Sequence, residues 1–247
     1  KTQVVSQPFV VRNLSPLVSF ADGERTVTNL TAAEIKGTVS VPEGAAKGIT
    51  ITGLESSLDD GKNWKPVFAA DGNHDSPNEQ FTFALNDLPE QLYTILFRAR
   101  DSRGIYGRTI KTLIVDFGPP PPPVVISPQP SSVLGDSDDH DPDAAGVQFA
   151  LNGKAEAESL IKVSVDASVF TGKTSRDGAF AVPGVTLKKH GENAISLTAE
   201  DAAGNTSPPA RINLIYNNPP TLKFASPRPD GGLNHAVFHP KTREARH

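Results

Sequence analysis

The feature that most constrains this chain is that it repeats itself at an interval of one hundred residues. Ile95, Phe97, Ala99, Asp101 and Gly104 recur as Ile195, Leu197, Ala199, Asp201 and Gly204. The stretches that carry them are YTILFRARDSRGIYG (93–107) and NAISLTAEDAAGNTS (193–207). After each comes a second β-prone run, a break containing proline and a further short β-prone run. A fixed internal period sets the architecture before any single element is assigned. It predicts two similar units of about one hundred residues each and the opening of a third.

The spacing of turn formers says what the units are made of. The 22 prolines and 20 glycines fall at short intervals, and no window sustains the i, i+3, i+4, i+7 apolar pattern of a helix. Strands are predicted at Leu17–Phe20, Ile35–Val41, Ile49–Leu58, Trp64–Phe68, Gln80–Leu85, Leu92–Arg100 and Thr109–Val115. A second set follows at Val124–Ile126, Val147–Lys154, Ser159–Val165, Phe170–Thr174, Ala179–Val182, Ala194–Ala199 and Ala210–Tyr216. In Leu92–Arg100, Tyr93, Ile95, Phe97 and Ala99 share one face, while Thr94, Arg98 and Arg100 share the other. That alternation suits an antiparallel sheet packed on one side. About seven short strands per ~100 residues point to an all-β chain of tandem immunoglobulin-like β-sandwiches.

The predicted boundaries are an arm at 1–13, a sandwich at 14–118, a linker at 119–123, a sandwich at 124–217 and a tail at 218–247 that opens a third repeat. Pro119–Pro123 reads as polyproline II, a stiff spacer rising ~3.1 Å per residue, or about 15 Å in all. The other reading of the run is a recognition peptide for an aromatic groove. Val4-Val5 and Phe9-Val10-Val11 in the arm, and Leu233 and Ala236-Val237-Phe238 in the tail, are expected to add a strand to an exposed sheet edge. Lys1 stands first and methionine is absent, so a mature form or a segment of something longer is expected.

Composition removes several classes of function. The net charge is −4 with both signs interspersed, unlike the clustered basic face of a nucleic-acid binder. No apolar run approaches the ~18 residues of a membrane span. Cysteine is absent, which removes disulfides, thiolate metal sites and a cysteine nucleophile. The six histidines form no His-Glu-x-x-His, and there is neither a nucleophile elbow nor a Gly-rich phosphate loop. A non-catalytic chain with no cofactor is expected.

Three local patterns carry chemistry. Asp101-Ser102-Arg103-Gly104 and Asp201-Ala202-Ala203-Gly204 sit between the last two strands of each unit. Asp can bond nearby backbone amides and Gly supplies positive φ, so both read as structural turns. Ser57, Asp59, Gly61 and Trp64 follow a Ser-x-Asp-x-Gly-x-x-Trp spacing. Gly135–Asp143 holds Asp136, Asp138, Asp139, Asp141 and Asp143, hard oxygen ligands that suit Ca²⁺. It lacks the sixth-position Gly and twelfth-position Glu of an EF-hand, and its other reading is a solvated acidic loop.

The residues of the second unit resemble the bacterial Ig-like domains strung in tandem in large surface proteins and adhesins. The resemblance rests on Asn152-Gly153-Lys154-Ala155, on Thr174-Ser175-Arg176-Asp177-Gly178-Ala179-Phe180, and on the run from Leu197 to Pro208. The last is similar to a recurrent Thr-Ala-x-Asp-Ala-Ala-Gly-Asn-x-Ser ending, and the resemblance covers roughly 124–216. The first unit departs from it: Ile105-Tyr106 follows the turn, and Ala70–Glu79 is inserted. It resembles the Ig-like or fibronectin-like modules appended to secreted enzymes. Its Ser57–Trp64 run is similar to the Asp-box hairpin of sialidases and other propellers. That likeness implies a structural hairpin with Trp64 folded back over it; the other reading of Trp64 is a sugar-stacking platform. The acidic segment loosely resembles the Asp-rich calcium loops of extracellular repeat proteins. The family resemblance implies an extracellular or cell-surface bacterial segment that spaces or links modules, with protein partners in a larger assembly or filament. The alternative is a glycan- or protein-binding module of an adhesin or secreted enzyme.

Overall fold

The structure, a computed structural model, describes residues 14–217, together with the backbone of a small ladder in which Leu222–Lys223 pairs antiparallel with Val237–Phe238. The arm at 1–13, expected to dock on a sheet edge, lies outside the described residues, as does most of the tail. The chain divides into two compact units between Phe117 and Gly118.

Unit 1 contains β1 (Leu17–Phe20), β2 (Arg25–Thr28), β3 (Ala33–Ser40), β4 (Ile51–Ser57), β5 (Lys65–Val67), β6 (Asn78–Leu85), β7 (Gln91–Asp101) and β8 (Tyr106–Val115). They form a three-stranded sheet, β1-β3-β6, and a five-stranded sheet, β2-β8-β7-β4-β5. Unit 2 contains β9 (Val124–Ser127), β10 (Val133–Leu134), β11 (Val147–Lys154), β12 (Leu160–Val165), β13 (Ser168–Lys173), β14 (Ala179–Leu187), β15 (Gly191–Glu200) and β16 (Ala210–Tyr216). Its sheets, β9-β11-β14 and β10-β16-β15-β12-β13, repeat the order of unit 1 strand for strand. Both units are Ig-like β-sandwiches. The described helix is a single 3₁₀ turn, Asp136–Asp138.

Each unit has eight strands, one more than the alternation predicts. The added strands are β2 and β10, and they are equivalent. In each unit the chain leaves the three-stranded sheet after its first strand, crosses over, and pairs parallel with the last strand. Arg25 faces Thr112 in unit 1 and Val133 faces Ile215 in unit 2. Four residues and two residues are too few for a period of two to show in sequence.

The core lies between the two sheets of each unit. In unit 1 Ile95, Phe97 and Ala99 of β7 are fully enclosed with Ile51, Leu54 and Leu113. Phe97 meets Phe20 and Phe83 edge to face, with centroids 5.2 and 5.6 Å apart. Unit 2 is filled mainly by aliphatic side chains, among them Leu151, Ile161, Val163, Leu187, Ile195 and Leu197. One contact recurs in both. Gly37 of β3 and Gly153 of β11 lie beneath the rings of Phe81 on β6 and Phe180 on β14. A methyl at either position would meet the ring's Cε1 at 2.8 Å and collide with the carbonyl oxygen of Ser19 or Val124. Only glycine lets the first strand and the aromatic ring close on the second strand together.

Candidate functional site

The repeated Asp-x-x-Gly turns are built alike. The Asp101 carboxylate accepts the amides of Arg103 (2.9 Å) and Ile105 (3.0 Å); that of Asp201 accepts the amides of Ala203 (2.8 Å) and Asn205 (2.9 Å). Gly104 and Gly204 take φ of 83° and 92° and donate back to the aspartate carbonyls. The second carboxylate oxygen differs: Asp101 takes the Arg103 guanidinium at 2.6 Å, and Asp201 takes the Asn205 amide at 3.0 Å. Burial opposes ionisation of Asp101, but Arg103 and the two amides outweigh it and hold its pKa below the ordinary value. Arg103 also donates to the Leu14 carbonyl at 2.7 Å, so the turn anchors the start of the unit.

Ser57, Asp59, Gly61 and Trp64 form the hairpin between β4 and β5. The Ser57 hydroxyl donates to Asp59 and accepts from the Gly61 amide at 3.0 Å. Asp59 accepts the backbone amide of Asn63 at 2.8 Å and its side-chain amide at 2.6 Å. These bonds, the Asn63 amide first, hold Asp59 down to a pKa of about 2. Gly61 has φ of 81°, and the Trp64 indole N–H donates to its carbonyl at 2.9 Å. In unit 2 the equivalent strands β12 and β13 are joined by Asp166 and Ala167 alone. The longer hairpin of unit 1 therefore sets a tryptophan against the outer face of the five-stranded sheet.

That face carries residues the sequence reading did not single out. The Arg98 guanidinium lies 4.1 Å over the Trp64 ring, within cation–π range, and its Nε donates to Glu55 at 2.6 Å. Tyr106 lies 5.6 Å from Arg98 and 5.9 Å from Arg100. Between hairpin and sheet is a cleft of about 490 Å³ lined by Asp60, Trp64, Leu96, Arg98, Arg108 and Ile110. The signal available in sequence was the run of Arg98, Arg100, Tyr106 and Arg108 at outward positions flanking one turn.

The acidic segment is a chain of local turns. Asp138 accepts the Gly135 amide at 2.9 Å, Asp139 accepts those of Gln148 (3.0 Å) and Asp141 (3.2 Å), and Asp141 accepts that of Asp143 (3.3 Å). Asp136, Asp141 and Asp143 are exposed. Among the described residues no three acidic or histidine side chains are brought together around a point where they could hold a metal ion.

Two polar groups inside unit 1 also went unnoticed. Lys111 is 0% exposed and donates to Asp22 at 2.7 Å and to the Gly23 carbonyl at 2.6 Å. Glu79 is buried and accepts the amides of Asp75 (2.9 Å) and Ser76 (2.6 Å). Lys111 occupies an inward phase of β8, the position that an apolar residue normally fills.

Residues 142–215 match the family model described as a bacterial Ig domain, and unit 2 is a bacterial Ig-like domain. No curated protein matches the chain. Among solved structures, it is similar to fibronectin(III)-like modules of CbhA from Clostridium thermocellum, at 14% identity and TM-score 0.46, over 82% of this chain and 95% of that one. It is also similar to a tetra-tandem repeat in the extending region of a large adhesion protein, at 16% identity and TM-score 0.33. That likeness covers 82% of this chain and about half, 49%, of the other. A third similar structure comes from a 1.5-MDa bacterial ice-binding adhesin, at 10% identity and TM-score 0.33, over 83% of this chain and 66% of the chain in that structure. Among the described residues no helix is long and apolar enough to cross a membrane.

Proposed function

We propose that this chain is a non-catalytic structural segment of an extracellular or cell-surface bacterial protein, in which Ig-like modules space or link other parts. The observation that carries the reading is the strand-for-strand repetition of one sandwich in two units, each with its own closed core. The aspartates repeated between the units are committed to backbone amides and hold turns. A module of this kind contributes length and rigidity, and its outer surface is free to vary.

A second reading has a specific observation behind it. The aromatic and arginine face of unit 1 suits a ligand, protein or glycan, in an adhesin or an accessory module of a secreted enzyme. Replacing residues 14–217, in the surface protein that carries them, with an unrelated pair of β-sandwiches of equal length separates the two. Spacing predicts that display and adhesion persist. Loss of adhesion with display intact contradicts a purely spacing role and favours the binding module.

A further inference from the structure

Unit 2 provides an internal reference for the outer face of the five-stranded sheet. On that side β12 and β15 present Lys162, Ser164, Ser196, Thr198 and Glu200, with Lys162 paired to Glu200. These groups are small or paired, and with Val169 and Arg211, which share that side, they include no aromatic ring. The same side of unit 1 presents Trp64, Leu96, Arg98, Tyr106 and Arg108, with Ile110 50% exposed. The shared fold does not require this change, because the inward positions of both units are filled. Tryptophan, tyrosine and arginine beside exposed aliphatic groups are the composition of protein-interface hot spots.

The charges on this face point to an acidic partner. Arg98 shares Glu55, but among the described residues Arg100 and Arg108 have no acidic partner. Stacking between Trp64 and Tyr106 fixes the direction of the Arg98 fork, which favours a carboxylate over a diffuse counterion. The same stacking covers one face of Trp64, so the ring does not offer that face to a sugar.

The matching chemistry is in the chain itself. Gly135–Asp143 places five aspartates in a short loop of unit 2, with Asp136, Asp141 and Asp143 exposed. Val133, beside it on β10, is 57% exposed and can cover Leu96 and Ile110. We propose that the cleft face of unit 1 docks the acidic segment of a second copy, so that unit 2 of one molecule joins unit 1 of the next. Two different patches meet in such a contact, which extends into an open string rather than closing as a symmetric dimer. The proposal rests on the linking role above and names its partner.

The test is sedimentation of the full chain across concentration and salt. In about 0.01 M salt the mass grows with concentration, and in about 1 M salt, where the screening length falls from ~30 to ~3 Å, it returns towards monomer. Arg100→Ala/Arg108→Ala removes the two arginines of the face that lack an acidic partner, and Asp141→Asn/Asp143→Asn removes two of the five loop carboxylates. Each double variant melts like the parent and associates at least tenfold more weakly. Mixed together they form one-to-one dimers and nothing larger, since one intact face meets one intact loop. A chain that stays monomeric at low salt, or association that ignores both variants, overturns the proposal. So does a monomer that binds oligogalacturonate through Arg108, which gives the cleft to an acidic glycan. A monomeric result leaves the spacing role intact, because the replacement experiment reads display and adhesion rather than self-association.

Discussion

Units 1 and 2 close the same crossover with different chemistry. Both carry the chain from the three-stranded sheet to a short strand parallel with the last one. In unit 2 the crossing is held by backbone bonds, Ser131 to Asn213 at 2.7 Å and Ile215 to Ser132 at 2.9 Å, and Ile212, next to Asn213, is apolar and packs against the core. In unit 1 a backbone bond of the crossing, Thr112 to Glu24 at 2.8 Å, is joined by the enclosed Lys111, which reaches Asp22 and the Gly23 carbonyl. The register makes the two positions equivalent: Ile95 faces Lys111 and Ile195 faces Ile212. A buried cation here ties a loop at a point where unit 2 needs none. One sandwich thus tolerates either a hydrophobic plug or an ionic latch at the same site, provided the carbonyls it covers have partners.

The largest effect is expected at that latch. Lys111→Ala removes a packed stem and strands the Gly23 carbonyl, and should cost unit 1 about 3 kcal/mol by denaturant unfolding. Lys111→Ile, which installs the residue of unit 2, should cost less. If the two cost the same, the latch acts through its bonds alone and the equivalence with Ile212 fails.

Next come the paired glycines. Gly37→Ala and Gly153→Ala should each destabilise their own unit by roughly 1–3 kcal/mol, since strand and ring must both shift. The losses should be similar. A loss in one unit only would break the structural equivalence of the two sites.

Acid should separate the units more gently. In unit 1 Asp22, Asp59, Glu79 and Asp101 have lowered pKa values; in unit 2 Asp177 does. For Asp22, Glu79 and Asp101 burial works against ionisation and bonded partners outweigh it. The unfolded chain binds a proton at each of these groups before the folded one does. Their contribution is therefore present above the ordinary carboxylate range and lost as pH falls through the folded values, about 2 for Asp59. Melting followed from neutral pH into this range should show unit 1 weakening more than unit 2; equal weakening would contradict this.

The smallest effect is expected from chelation. The carboxylates of Asp138, Asp139 and Asp141 accept nearby backbone amides, and no three acidic or histidine side chains converge on a metal-sized point among the described residues. Removing calcium should leave the melting of unit 2 unchanged. A calcium-dependent rise would mean that the loop regroups around the ion.

The fold was legible in sequence where residues repeat or alternate. The hundred-residue echo of Asp101 and Gly104 announced two similar units, and the alternation in Leu92–Arg100 marked the central strand of the first, Gln91–Asp101. The short strands β2 and β10 were not legible, because parallel pairing of two to four residues leaves no period to read. Lys111 was missed because a charged residue on an inward phase reads as an interruption of the pattern until its partners, 88 and 89 residues away, are in place. The arginine–tryptophan face was missed for a related reason. Trp64 and Arg98 are 34 positions apart and meet only once the hairpin folds back over the sheet.

The central claim is that the chain is one sandwich built twice, each copy self-sufficient. Pulling single molecules from both ends tests it most directly. Two separate unfolding events are expected, each releasing about 100 residues, or roughly 350 Å of extended chain. A single cooperative event of about twice that length would show that the units share one folding unit, and would contradict the account.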